Sequence, residues 1–213
     1  MSNTISFTTA NAPASTYHMM NAIVAPRPIA WVSTVAADGT FNVAPHSYTT
    51  ILSGDPPIIG FVSTGRKDTL INVEKTGEFV YNVAGEQLGE RMNRTAADFP
   101  PNVSEFDWAG LTPAPSDLIK TPRVGEADIS IEAVVRDIYR IPGANSWMVV
   151  GEAVAFHINE RVIRDGRIDP ALVRPLGRLA GFDYATFGEV VSIPRPSYAG
   201  LVQSGAQPFE RIE

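Results

Sequence analysis

A chain of 213 residues, 44% hydrophobic and 19% charged, can bury one substantial core; this sets the expectation of a single domain over 1–213 and excludes a disordered polymer. The formal net charge of −6 argues against a nucleic-acid partner, and the absence of cysteine removes disulfides, thiolate nucleophiles, iron–sulfur clusters and cysteine zinc sites. No apolar run approaches a membrane span, and the N-terminus lacks a basic region followed by an apolar stretch, so no membrane contact and a cytoplasmic location are expected.

Residues 1–25 have weak periodicity and read as an N-terminal arm or short helix. Two strand-like runs, 29–36 and 41–50, then flank Asp38-Gly39, whose tolerance of positive φ favours a tight hairpin turn. A third apolar run, 58–62, feeds into Ser63-Thr64-Gly65-Arg66-Lys67-Asp68-Thr69. Hydroxyls, a permissive glycine and two adjacent cations match the needs of a phosphate: donors, close backbone approach, and charge to replace lost hydration. Asp68 is placed to cap a helix running through residues 70–74, with Gly77 at its stop, and that helix would aim its first N–H groups at the same anion.

Phe79, Tyr81 and Val83 alternate as in a strand, and residues 86–95 have helical composition. The stretch 98–122, rich in Pro, Asp and Ser, reads as a long surface excursion able to close over a pocket. Sheet returns at 129–135 and at 147–158, the latter interrupted by Gly151. The segment 172–213 is too rich in Gly and Pro for a long helix and reads as a C-terminal packing tail. Many strands, few helices, no βαβ alternation and no G-x-G-x-x-G after a strand point to a mainly β fold, a β-barrel with α additions, and away from a Rossmann domain. The three histidines are scattered without metal-ligand spacing, so no metal site is expected, and no G-x-S-x-G elbow suggests a hydrolase.

The order RPIAWVST, DG, NVAPHSYTTILSGDPP, STGRKDT and TGEFVYNV resembles the flavin reductase-like family of FMN-binding split barrels, over roughly 26–184. The resemblance implies a homodimer that holds FMN and receives hydride from NADH or NADPH, with a flavin-dependent monooxygenase or redox protein as a possible partner. It assigns the phosphate end of FMN to Ser63, Thr64, Arg66, Lys67, Asp68 and Thr69, although a solvated turn before a helix would look the same. It sets Asn42, Val43, Ala44, Ser47, Tyr48 and Thr49 beside the isoalloxazine ring, where an aromatic commonly stands in place of His46. Trp31 would border the ring while its body packs in the core, and Arg27 would meet the cofactor, a neighbouring subunit or a surface carboxylate. Arg178 lies in GRLAGFDY, similar to a C-terminal signature that closes over the cofactor, and His157 takes a catalytic place near flavin or nicotinamide. Two alternatives remain open: a flavoredoxin-like electron carrier without efficient NAD(P)H turnover, and a flavoenzyme acting on a small organic substrate.

Overall fold

The computed structural model describes residues 4–205, 207 and 209; the ends of the expected arm (1–3) and tail (206, 208 and 210–213) lie outside the described residues. After helix α1 (Thr16–Ile23) the chain forms β1 (Ala30–Val35), β2 (Phe41–His46), β3 (Thr49–Gly54) and β4 (Pro57–Thr64). Helix α2 (Asp68–Thr76) leads to β5 (Glu78–Val83), and short helices α3 (Gly89–Arg94) and α4 (Glu105–Ala109) follow. The two-residue strands β6 (Pro113–Ala114) and β7 (Arg123–Val124) precede the long hairpin of β8 (Ile129–Arg140) and β9 (Ser146–Ile158). The remainder comprises the paired strands β10 (Ile163–Arg164) and β11 (Arg167–Ile168), helix α5 (Pro170–Val173), the paired strands β12 (Gly177–Arg178) and β13 (Tyr184–Ala185), and α6 (Tyr198–Gln203).

Seven strands make one antiparallel sheet in the order β2-β1-β5-β8-β9-β4-β3. Its two edges are consecutive in sequence, so Ser47 and Tyr48 alone carry the chain from one edge to the other. The expected single strand over 41–50 is therefore corrected: its second part pairs with β4 through Thr49↔Phe61 instead of continuing beside β1. Alternation within β1 explains how the sheet can turn back on itself. Ala30 and Val32 point into a core with Phe61, Leu70, Val73, Phe79, Ala133 and Val149, whereas Trp31 packs on the other face with Val43, Met92, Phe106 and Leu111.

Gly151 does not interrupt β9. A Cβ there would lie 2.5 Å from the Phe79 ring, so the missing side chain is the space that ring occupies. The stretch 98–122 is more than a surface excursion, because Phe106, Ala109 and Leu111 are buried and α4 packs beneath β2. The cap of α2 also shifts by one residue: Lys67 is the N-cap, without a side-chain cap hydrogen bond, and Asp68 is the first helical residue. Gly77 ends that helix at φ 69° in the left-handed region, as its position suggested.

Candidate functional site

Two neighbouring cavities open where the sheet edges meet. The inner one, about 190 Å³, lies between β2 and the β4–α2 turn; the outer one, about 330 Å³, lies between that seam, α1 and the β12 region. Pro45, His46 and Thr64 line both, so the two form one groove with a narrow waist.

The inner cavity is built on a buried polar chain. Asn42 donates from Nδ2 to Glu105 Oε1 at 2.7 Å, and its Oδ1 accepts from the hydroxyls of Thr34 and Thr69, each at 3.1 Å. Asn72 Nδ2 donates to Thr34 Oγ1 at 3.0 Å, and the Val43 amide donates to Glu105 Oε2 at 3.1 Å. These bonds lock strand β2 to the N-terminus of α2 and to α4, so this side of the cavity is held by regular elements, while residues 95–99 close it from a loop. Burial pushes the Glu105 carboxyl above the usual range; its bonds to Val43 and Asn42 oppose that, and the Asp68 charge adds to it.

At the far wall stands the turn that ends β4. The first N–H groups of α2 have no side-chain cap and Gly65 turns the chain at φ 93°, leaving backbone donors beside Thr64, Thr69 and the Lys67 ammonium. Lys67 pairs with Asp98 at 3.0 Å, but both side chains are largely exposed and such a pair is weak, so the ammonium is free to turn to a stronger anion. Ser63 is fully buried and donates to the Gly65 carbonyl at 3.0 Å, which shapes the turn from behind.

His46 marks the waist. Its Nδ1 lies 3.4 Å from the Val62 carbonyl, the ring packs on Phe61 with centroids 4.8 Å apart, and Nε2 is shut off from solvent without a partner. Burial, only partly resisted by the Val62 carbonyl and helped by the Lys67 charge, pushes this histidine down to about 4, so it is neutral near pH 7.

The groove thus gathers Asn42, Ala44, Ser63, Thr64, Lys67, Asp68 and Thr69 around its inner part, and Ser47, Tyr48 and Arg178 around its outer part. Other expected residues lie elsewhere. Trp31 is fully buried in the core; its Nε1–H donates to Thr95 Oγ1 at 2.9 Å and so fixes a residue of the inner wall without reaching the cavity. Val43 is core as well, and only its amide serves the site, through Glu105. Arg66 turns outward into a two-point ion pair with Glu74, at 2.9 and 2.6 Å, because the next helical turn places that carboxylate within reach. Thr49 faces an open, apolar cavity of about 790 Å³ beside α1, which adjoins the outer cavity through Tyr17, Arg27, Ser47 and Tyr48.

His157, for which the resemblance implied a catalytic place, stands apart from the groove in this chain. It lies four strand neighbours around the sheet from Pro45, through Ser130, Asn82 and Trp31, and lines neither cavity. Its Nε2 is 2.6 Å from Glu132, which is fully buried and also accepts from the amides of Asp117, Leu118 and Ile119. Burial raises the Glu132 carboxyl, but the Asp117 amide, His157 and the Leu118 amide outweigh it and hold the group below its usual range. Asp117, Glu132 and His157 offer atoms within 4.8 Å of one another, yet Glu132 has its oxygens committed to backbone donors, and the cluster anchors the 117–119 loop.

Residues 20–173 match the model of the flavin reductase like domain. The chain belongs to the flavin reductase-like family. It is 37% identical over 191 residues to an uncharacterized protein of Halalkalibacterium halodurans, covering 85% of this chain and 91% of that one. The structure of nitrilotriacetate monooxygenase component B from Bacillus cereus is similar with a TM-score of 0.85 at 34% identity, covering 91% of this chain and all of the other. That of the Pseudomonas fluorescens 2-nitrobenzoate 2-nitroreductase NbaA matches with a TM-score of 0.83 at 31% identity, over 92% of this chain and 98% of the other. The seven-stranded sheet is accordingly the FMN-binding split barrel of the flavin reductase-like family.

FMN fits the donor set. A phosphate finds uncapped helix amides, the Thr64 hydroxyl and one redirectable ammonium at the inner end, and a ring system finds the β2 strand and the waist. Glu105 is the site residue that sequence reasoning missed, since it falls in the stretch read as a loop. Ser104, followed by Phe106 and Ala109 at helical spacing and by Gly110, was the available signal for the helix that carries it.

Proposed function

We propose that this protein is an FMN-dependent oxidoreductase that takes hydride from NADH or NADPH. The observation that carries the reading is the uncapped N-terminus of α2, opening with Lys67, Thr64 and Thr69 onto the groove that β2 walls. When bound, FMN supplies a two-electron acceptor and donor, chemistry that no side chain in the groove can provide. The protein's own part is placement. Lys67 and the α2 amides hold the phosphate, the Asn42–Glu105 chain fixes the strand along the ring, and His46 stays neutral at the waist so that no extra positive charge sits there.

Anaerobic mixing of the purified protein with FMN, followed by NADH or NADPH, tests this directly. Bleaching of the flavin absorbance that depends on the protein is expected, and its rate with each nucleotide gives the preference. Flavin that does not bind would end the reading.

The likeness to the nitroreductase NbaA over nearly its whole length favours a second reading, in which flavin held here reduces a small organic acceptor entering the outer cavity. The likeness to a monooxygenase component B favours delivery of reduced flavin to a monooxygenase partner. Assembly as a homodimer is proposed on the apolar cavity beside α1, where Met20 and Val24 are exposed next to the β3 edge.

A further inference from the structure

Arg27 is 6% exposed, yet among the described residues no carboxylate pairs with it. Its NH1 donates to the carbonyls of Asn21 and Val24, each at 2.6 Å, and its NH2 donates to that of Leu179 at 2.8 Å. A guanidinium has five N–H donors; the Nε–H here has no partner, and one terminal proton is left over as well. Arg178 is its backbone neighbour, since each residue's amide donates to the other's carbonyl, at 3.0 and 2.8 Å. It too is held by carbonyls, those of Gly181 and Asp183, and it lies over the Tyr184 ring at 4.5 Å. Both arginines line the outer cavity, and among the described residues no aspartate or glutamate does.

Two adjacent cations without a counter-charge are costly, the more so where one is buried, in a chain whose net charge is −6. Carbonyl partners fix the direction of each guanidinium and leave its charge uncancelled, which is the condition of a site prepared for an anion. The volume of about 330 Å³ suits part of a small organic molecule, and the shared wall at Pro45, His46 and Thr64 sets it against the inner cavity. We propose that the outer cavity is an anion subsite, in which Arg27 and Arg178 receive a carboxylate or phosphate group of the second reactant that meets the flavin. Its assignment to that reactant rests on the flavin reading above. An organic acid and the pyrophosphate of a nicotinamide nucleotide offer the same chemistry.

Calorimetric titrations of the full chain, with and without saturating FMN, test the subsite and separate the two sources. Benzoate is compared with the neutral benzamide, and ADP-ribose with adenosine. Preference for the anion of either pair by about tenfold or more is expected from charge-assisted hydrogen bonds, and the pair that shows it names the source. Arg27→Gln should abolish that preference. Arg178→Gln, at a side chain not buried in the core, should reduce it and carries the test if Arg27→Gln does not fold. Absence of preference in both pairs, or an unchanged preference in folded Arg27→Gln, would overturn the subsite whatever FMN does. Failure to bind FMN alongside a retained anion preference would overturn only the flavin reading and the link to its second reactant.

Discussion

Lys67 and Glu105 divide the inner cavity between charge and shape. Replacing Lys67 by Gln should weaken FMN binding by about tenfold while leaving riboflavin affinity nearly unchanged, because only the phosphate is addressed; fluorescence titration of both flavins reads the difference. Glu105→Ala removes two acceptors and strands the buried donors of Asn42 and Val43, a loss of about 2–4 kcal/mol in urea unfolding, with weaker binding of both flavins. His46 gives a pH signature. Between its folded value of about 4 and its ordinary 6.5 the unfolded chain binds the extra proton, so stability is full above this window and falls as pH drops through it. The loss is on the order of 2–3 kcal/mol, and His46→Phe should flatten this part of the profile when melting temperatures are compared from pH 4 to 7.

At the level of elements, what was legible follows from local chemistry. The β4–α2 turn announced itself because hydroxyls, glycine and cations must be adjacent in sequence to serve one anion, and the Gly77 stop followed from its backbone freedom. The outward turn of Arg66 was not legible, because its partner Glu74 lies a helix turn beyond the motif, outside the local pattern. The position of His157 was not legible locally, because the face a strand residue shows is set by pairing in register with distant segments, here Ser130 of β8. The reading of 41–50 as one strand failed for a similar reason: nothing local marks the residue at which a chain leaves one sheet edge for the other. Gly151 illustrates a vacancy that only packing explains. Gly151→Ala should cost about 1–3 kcal/mol by forcing a methyl into the Phe79 ring, and thermal unfolding would measure it.

For the whole molecule, α1 and the β3 edge leave Met20, Ile23, Val24 and Ile51 exposed, and Met20 and Val24 line the large apolar cavity, the kind of surface a second copy would cover. Light scattering should find a dimer, and Met20→Lys should shift it to the monomer; a wild-type monomer would reject the proposed assembly. The join between the outermost strands carries a different implication. Because β2 and β3 are tied covalently only by Ser47 and Tyr48, anything seated across Pro45, His46 and Thr64 works as a clasp on the sheet's open side. Occupancy at a hundredfold excess over the dissociation constant adds about 2.7 kcal/mol to the folded state, and amide exchange should slow first along those two margins. A ligand in the groove would then serve endurance as well as chemistry, by joining two margins that the chain itself links at a single point.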